Sequence, residues 1–306
     1  PAEGGSHIGI TNTLYNLIRD KIYMYAVLKV LGLTVPPFHA PTNGQIDIKK
    51  VEEGKTYILE SSSSLSYINK EVEDAIRMLQ LYNKLRCTTL LREVPYALEL
   101  EVEGWFNGIQ LVTPSYLILN RMIMRPLPRP SKLFQESLGR VEEALKKTDY
   151  KGPVSLTVGL TKDELYGLQL GVEMRPMVFE AMKGVAKNLN VVATASKNVI
   201  SMYNEWTMQT PIMVSTPMVG LPILGWSKEN AKHLWLFHAV QNHDGMYYDA
   251  TSPVVGYVTA RGESPRECIR RVKRTMEQVY IPFSLELAFP QKVLERWKKL
   301  QGWGWA

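Results

Sequence analysis

Glu99, Glu101 and Glu103 are the side chains whose spacing says most about chemistry. They alternate with Leu98, Leu100 and Val102, and a period of two puts the carboxylates on one face of a half-buried strand. Asn107 and Gly108 then offer a type I′-compatible turn into a second strand, residues 109–113. On residue types alone this is a β-hairpin with an acidic outer face. A second set, His233, His238 and His243 with Asp244 and Asp249, has the residue types of a metal site but not its geometry. A spacing of five turns His233 and His238 to opposite faces of a strand and well apart on a helix, so metal binding is not expected. Cys87 and Cys268 match no metal or redox spacing and read as reduced, intracellular and inert. No Ser/His/Asp nucleophile motif, zinc-spaced Cys/His set or dinucleotide fingerprint occurs.

The elements that must position these groups follow from pattern. Asn12 is placed to cap a helix over residues 13–31, with Leu14, Leu17, Ile18, Ala26 and Val30 on its buried side and Gly32 ending it. Residues 34–41, TVPPFHAP, are extended because three prolines forbid helix. A strand at 56–59, a serine run at 61–64, a helix over 70–85 and a strand at 88–94 lead into the hairpin. Prolines 126, 128 and 130 predict no regular element across 121–132. Helix then returns over 131–147, followed by strands at 154–160 and 165–172 and a linker near 188–208. Strand-like runs at 211–215, 233–240 and 254–259 and two late helices complete a mixed α+β pattern.

Composition sets the outer limits. A chain of 306 residues, 45% hydrophobic and 22% charged, is globular and long enough for two domains. No run reaches the roughly 18 apolar residues of a membrane span, and PAEGGSHIGI has no apolar signal core, so a cytoplasmic protein without a membrane partner is expected. The net charge of +6 gathers in Arg266, Arg270, Arg271, Lys273 and Arg274, and again in Lys292, Arg296, Lys298 and Lys299. Both groups fall on amphipathic helices and read as solvated faces. Without a nucleic-acid motif or an aromatic platform among them, nucleic acid is not an expected partner. Trp303 and Trp305 lie on a glycine-flexed tail and call for a surface to pack on.

Several blocks together resemble the ATP-grasp ligases, above all the phosphoribosylamine–glycine ligases (GAR synthetases). ELEVEGWFNG at 99–108 carries the first likeness, within LREVPYALELEVEGWFNG, which is similar to the family's adenine hinge and ribose-facing acid. A helix followed by GLTVPPF looks like the entry to an ATP-grasp domain, and YKGPVSLTVGLTKDELYGLQ looks like the penultimate strand pair. WLFHA, VGYVTA and residues 264–279 echo the small C-terminal domain of GAR synthetases. The resemblance covers roughly residues 12–290. It implies an α+β ATP-grasp fold of paired subdomains over 12–190, a GAR-synthetase-like C-terminal domain over 205–290, and a final helix and tail over 291–306. The family's separate N-terminal α/β domain is not represented, since the likeness begins near residue 12.

The same resemblance implies a damaged nucleotide site. The strand that should end in a phosphate-binding lysine ends instead in Glu60, and the lid after it reads Ser61, Ser62, Ser63 and Ser64, without glycine. The family's Glu-x-Asn metal pair falls on Gln169 and Gly171, with Glu173 as a displaced candidate ligand. Arg125 and Arg129 stand where a basic loop would hold an anion, while Glu93 and Glu99 keep the hinge and ribose positions. No catalytic residue is therefore assigned, and no cofactor is expected; the alternative is ATP with Mg²⁺. The expected role is a catalytically inactive subunit bound to other protein chains in an assembly, through Trp303 and Trp305 or through Arg270, Arg271 and Arg274. Likeness of the EGWFNG block to phage versions of the ligase makes a viral, virion-associated protein one setting. An active carboxylate–amine ligase and a regulatory nucleotide-binding module are the alternative functions.

Overall fold

The acidic strand lies inside a large antiparallel sheet. The computed structural model describes residues 20–43, 45–61, 66–69, 76–77, 80, 89–112, 114–119, 121–172, 177–178, 205–285 and 292–306. Helix α1 (Lys21–Val30) opens it, capped by Asp20, whose carboxylate accepts from the Ile22 and Tyr23 amides at 2.9 and 3.3 Å. Asp20 caps this helix, whose buried stripe is Met24, Tyr25 and Leu28, while Ala26 and Val30, expected on that side, are exposed; Asn12, Leu14, Leu17 and Ile18 lie outside the described residues. Gly32 ends the helix in the left-handed conformation as its position predicts.

Strands β1 (Phe38–His39), β2 (Tyr57–Ser61), β3 (Ser66–Asn69) and β4 (Thr89–Glu93) form a four-stranded sheet in the order β1-β4-β2-β3. It has its own small core of Ile46, Tyr57, Leu59 and Leu91. The helix expected at 70–85 and the serines after Ser61 lie outside the described residues, apart from a helical fragment at 76–77 and 80.

The chain then enters the larger sheet through β5 (Leu98–Phe106), β6 (Ser115–Leu119) and β7 (Ile123–Leu127). Short helices α2 (Lys132–Glu136) and α3 (Leu138–Leu145) precede β8 (Gly152–Leu160) and β9 (Leu165–Gly171), and β10 (Trp206–Met213) follows. Strands β11 (Leu221–Ile223), β12 (Leu234–Leu236), β13 (Ala239–Asn242), β14 (Gly245–Tyr248) and β15 (Val254–Gly262) come next, and helices α4 (Pro265–Glu277) and α5 (Val293–Gly302) close the chain. Eight strands pair in the order β12-β15-β10-β7-β6-β5-β8-β9, and β11-β14-β13 form a separate small sheet. Leu100 and Val102 face Val158 and Leu156 across β5 and β8, all in the main core, and Glu99, Glu101 and Glu103 face Gly159, Thr157 and Ser155 on the other side.

Several expectations need correction. Pro126 lies within β7, opposite Tyr116 of β6. The strand tolerates it because β10 pairs with β7 only at Ile123 and Met124, so no ladder bond is asked of Pro126 on that side. The helix expected over 131–147 breaks at Ser137, whose φ of −117° and ψ of −96° are not helical. At the 107–108 turn only Gly108 has positive φ, which excludes type I′. The Asn107 side chain accepts from the Ile109 and Gln110 amides instead, and residues 109–112 hold to β5 by one bridge, Phe106 to Leu111. The run 233–240 bends at His238, which has φ of 50° and separates β12 from β13. Trp206 and Met208, expected in the linker, lie in β10; residues 188–204 lie outside the described residues.

The tail also differs. Trp305 is 1% exposed and packs in the main core, and its indole donates to the Thr161 carbonyl at 2.9 Å. Its own carbonyl accepts from the Leu133 amide at 3.0 Å, tying the C-terminus to α2. Trp303 packs half-buried against the same core. Trp305 thus holds the chain's own body together and is not available to a partner. Replacing it by alanine removes a large side chain from a closed site, and we expect Trp305→Ala to cost about 3–5 kcal/mol in urea unfolding. A loss below about 1 kcal/mol would show that the tail is peripheral.

Candidate functional site

Four residues, 94–97, connect β4 of the small sheet to β5 of the large one. The Val94 amide donates to the Thr56 carbonyl at 2.9 Å and the Ala97 amide to the Leu160 carbonyl at 3.0 Å, so each end of the connection is fastened to a different sheet. Side chains form a second link. Arg92 Nε donates to Glu60 Oε1 at 2.9 Å, Arg92 Nη1 donates to the Tyr96 hydroxyl at 2.7 Å, and that hydroxyl donates to Glu99 Oε2 at 3.0 Å. The Glu60 and Arg92 side chains are 6% and 5% exposed. Glu60 and Arg92 are brought onto one face because each shares a β2–β4 rung with a residue of matching parity: Ile58 stands opposite Arg92, and Glu60 opposite Leu90.

Burial opposes the charge of Arg92, yet the phenolic and acidic groups around it, Tyr25, Glu60 and Tyr96, hold its pKa above the ordinary value. Burial, with Glu99 beside it, pushes the Tyr96 phenol up to about 12 against the opposing pull of Arg92. Tyr25 of α1 stands near the same group, and burial raises its phenol too. Its hydroxyl and Glu60 Oε2 are buried without a hydrogen-bond partner among the described residues. The Tyr96 ring lies over Gly159 of β8, where any β-carbon would overlap it. Glu93 is held by Lys55, whose ammonium bridges it at 3.0 Å and Glu52 at 2.8 Å. Glu99 remains exposed at the lip of the large sheet.

The expected metal positions lie farther along the same face. Gln169 stands opposite Thr157, which stands opposite Glu101. Its amide oxygen accepts from the Lys21 ammonium at 3.3 Å. Gly171 stands opposite Ser155, and a side chain at 171 would overlap the serine hydroxyl. Magnesium requires hard anionic oxygens in near-octahedral array. An amide already next to an ammonium, a glycine and two hydroxyl residues do not fit it. Among the described residues no group of three or more His, Cys, Asp or Glu could hold a metal. Glu173 lies outside the described residues.

Both candidate anion-binding arginines are engaged elsewhere. Arg125 sits in β7 between the Trp206 and Trp297 rings, 5.1 and 4.1 Å from their centroids, and burial lowers its pKa. Arg129 grips the buried Glu142 of α3 with both terminal nitrogens, at 2.7 and 3.0 Å, and donates to the Leu111 carbonyl at 3.1 Å. This is a bidentate structural clamp, not an open anion site. Arg270, Arg271 and Arg274 lie on the exposed side of α4, where Glu267 accepts from Arg271 at 2.6 Å. Among the described residues no helix is long and apolar enough to cross a membrane.

No protein-family model matches the sequence. No curated protein matches it either. Solved structures match closely in shape. Phosphoribosylamine–glycine ligase from Thermotoga maritima aligns with a TM-score of 0.63 at 15% identity, over 88% of this chain and 78% of that one. L-amino acid ligase from Bacillus licheniformis aligns with a TM-score of 0.58 at 13% identity, over 90% and 74% of the two chains. N5-carboxyaminoimidazole synthase from Aspergillus clavatus, solved with ADP and its ribonucleotide, gives 0.57 at 11% identity over 86% and 73%. The chain has an ATP-grasp fold of the GAR-synthetase-like kind.

The sequence placed Glu93 and Glu99 in the hinge and ribose region and Glu60 at the phosphate-facing strand end, but did not point to Arg92 and Tyr96, which join Glu60 to Glu99. The signal was present: an arginine in the apolar run TLLRE needs a buried counter-ion. Removing Arg92 leaves Glu60 buried and unpaired, so Arg92→Ala should lower stability by about 3–5 kcal/mol in urea unfolding. Replacing both partners, Glu60→Leu with Arg92→Leu, should recover most of that loss. Equal damage in the single and double variants would show that the two side chains do not act as a pair.

Proposed function

We propose that this chain is an ATP-grasp protein without ligase chemistry that serves as a binding or structural subunit of a larger assembly. The observation that carries this reading is the buried Glu60–Arg92 pair. Where the resemblance asks for a cation facing a phosphate, the strand carries a carboxylate, and the nearby guanidinium is consumed in neutralising it. Triphosphate is therefore disfavoured less by naked repulsion at Glu60 than because the guanidinium beside that position is already committed to it. The poor fit of Gln169 and Gly171 to magnesium supports the same conclusion. A nucleoside makes smaller demands. Exposed Glu99 beside Tyr96 can accept from a ribose hydroxyl without any phosphate contact. A viral, virion-associated setting rests on the EGWFNG resemblance alone.

A second reading, an active ATP-dependent carboxylate–amine ligase with relocated metal ligands, is favoured by the likeness to a phosphoribosylamine–glycine ligase over 88% of the chain. Under that reading Glu173 replaces a lost ligand and ATP with Mg²⁺ is the cofactor. The two readings separate in one assay. Purified protein supplied with Mg-ATP, glycine and phosphoribosylamine should release no phosphate above background, and calorimetry should find ATP bound no more tightly than adenosine. Turnover abolished by Glu173→Ala would overturn the first reading and establish the second.

A further inference from the structure

Helix α1 brings a third polar group to the buried Glu60–Arg92 pair. Phe38 of β1 shares a rung with Arg92 of β4, and the Tyr25 ring stacks on Phe38 with centroids 5.0 Å apart. Tyr25 is 0% exposed, Arg92 4% and Glu60 6%. Both charges reach the Tyr25 phenol: burial raises its pKa most, Arg92 pulls it down, and Glu60 raises it further. The phenol therefore keeps its proton and can donate as well as accept. Hydrogen-bonding capacity at this point is not used up. Arg92 donates from Nε to Glu60 Oε1 and from Nη1 to Tyr96, which leaves further N–H donors on the guanidinium. The Tyr25 hydroxyl and Glu60 Oε2 have no hydrogen-bond partner among the described residues. Two such atoms beside one guanidinium, neither bonded to the other, call for a bridging molecule.

We propose that this is a binding site for one internal water, which bridges the Tyr25 hydroxyl, Glu60 Oε2 and the Arg92 guanidinium. The site selects a neutral guest. Glu60 and Arg92 cancel in charge, so an ion of either sign would meet a like charge at close range in a dry setting. Water is also the smallest molecule that can donate to a carboxylate and accept from a guanidinium at once. With Tyr25 as its remaining partner it makes the two to four hydrogen bonds ordinary for a buried water. Its effect is to join α1 to the Glu60–Arg92–Tyr96 chain, so that the helix moves with the hinge between the sheets. That role is independent of nucleotide binding and serves an active or an inactive protein equally.

Two measurements on the full chain test this. A high-resolution crystal structure should show one water at about 2.7–3.2 Å from both Tyr25 Oη and Glu60 Oε2. Tyr25→Phe keeps the ring on Phe38 and removes only the hydroxyl, so the water loses a partner and the urea midpoint should fall below the parent's. An orphaned hydroxyl behaves oppositely, because its removal leaves the midpoint unchanged or raises it. A direct Tyr25–Glu60 hydrogen bond in the crystal, a site without water density, or a Tyr25→Phe midpoint at or above the parent's would each overturn the proposal.

Discussion

The structure depends most on the long antiparallel ladder between β5 and β8, which runs from Leu98 opposite Leu160 to Phe106 opposite Gly152. Its period of two sorts every side chain. Leu100, Val102, Val154, Leu156 and Val158 go to the core, and Glu99, Glu101, Glu103, Ser155 and Thr157 to the opposite face. A slip of one residue would carry the core row to the face that holds Glu99, Glu101 and Glu103. Each strand added outward inherits this choice. The core side of β7 places Arg125 between two indoles, and the polar side of β9 places Gln169 beside Thr157. The hinge at 94–97 then inherits its direction from the β5 end of the ladder.

Energetics explain why the hinge pair should be read as a device for specificity. At 2.9 Å and an effective dielectric of about 20, the Glu60–Arg92 attraction is about 6 kcal/mol before desolvation. Removing two ions from water costs several kcal/mol each, so the pair adds little net stability. What it provides is exclusivity. Any arrangement that separates β2 from β4, or Tyr96 from Arg92, strands a charge in an apolar setting. The same reasoning covers Glu142, which accepts from Arg129 and from the Leu111 amide and so fixes α3 to the loop after β5.

The sequence made local regularity legible and long-range pairing illegible. Strands β5, β8, β9 and β15 could be read because alternation is written within a few consecutive residues. Helix α4 could be read from the amphipathic spacing of Arg266, Arg270, Arg271 and Arg274. β7 was hidden because the rule against proline holds only where a ladder bond is needed, and that depends on a neighbour, β10, far along the chain. Arg92 and Glu60 are 32 positions apart, and Trp305 and Thr161 are 144 apart, so no periodicity joins them. The site was legible as residue types and illegible as partnerships: Glu60 was visible as a carboxylate in the wrong place, but not as half of a neutral pair.

That distinction changes the electrostatics of the sheet face that carries Glu99. An unpaired Glu60 would repel any phosphate strongly in a partly dry setting, whereas a neutralised one leaves the charge nearest the hinge to the exposed Glu99. Arg125 is held between indoles, Arg129 is clamped to Glu142, and Lys55 is taken by Glu52 and Glu93. Lys21, beside Gln169, is a cation at the far edge of that face. On the proposed reading, an acidic strand whose neighbours Arg125, Arg129 and Lys55 are each engaged elsewhere would disfavour polyphosphate while leaving a neutral sugar hydroxyl free to donate to Glu99. On that reading the selectivity would follow from where these cations are tied down, and so from the same contacts that hold the two sheets, α3 and the β10 tryptophan in place.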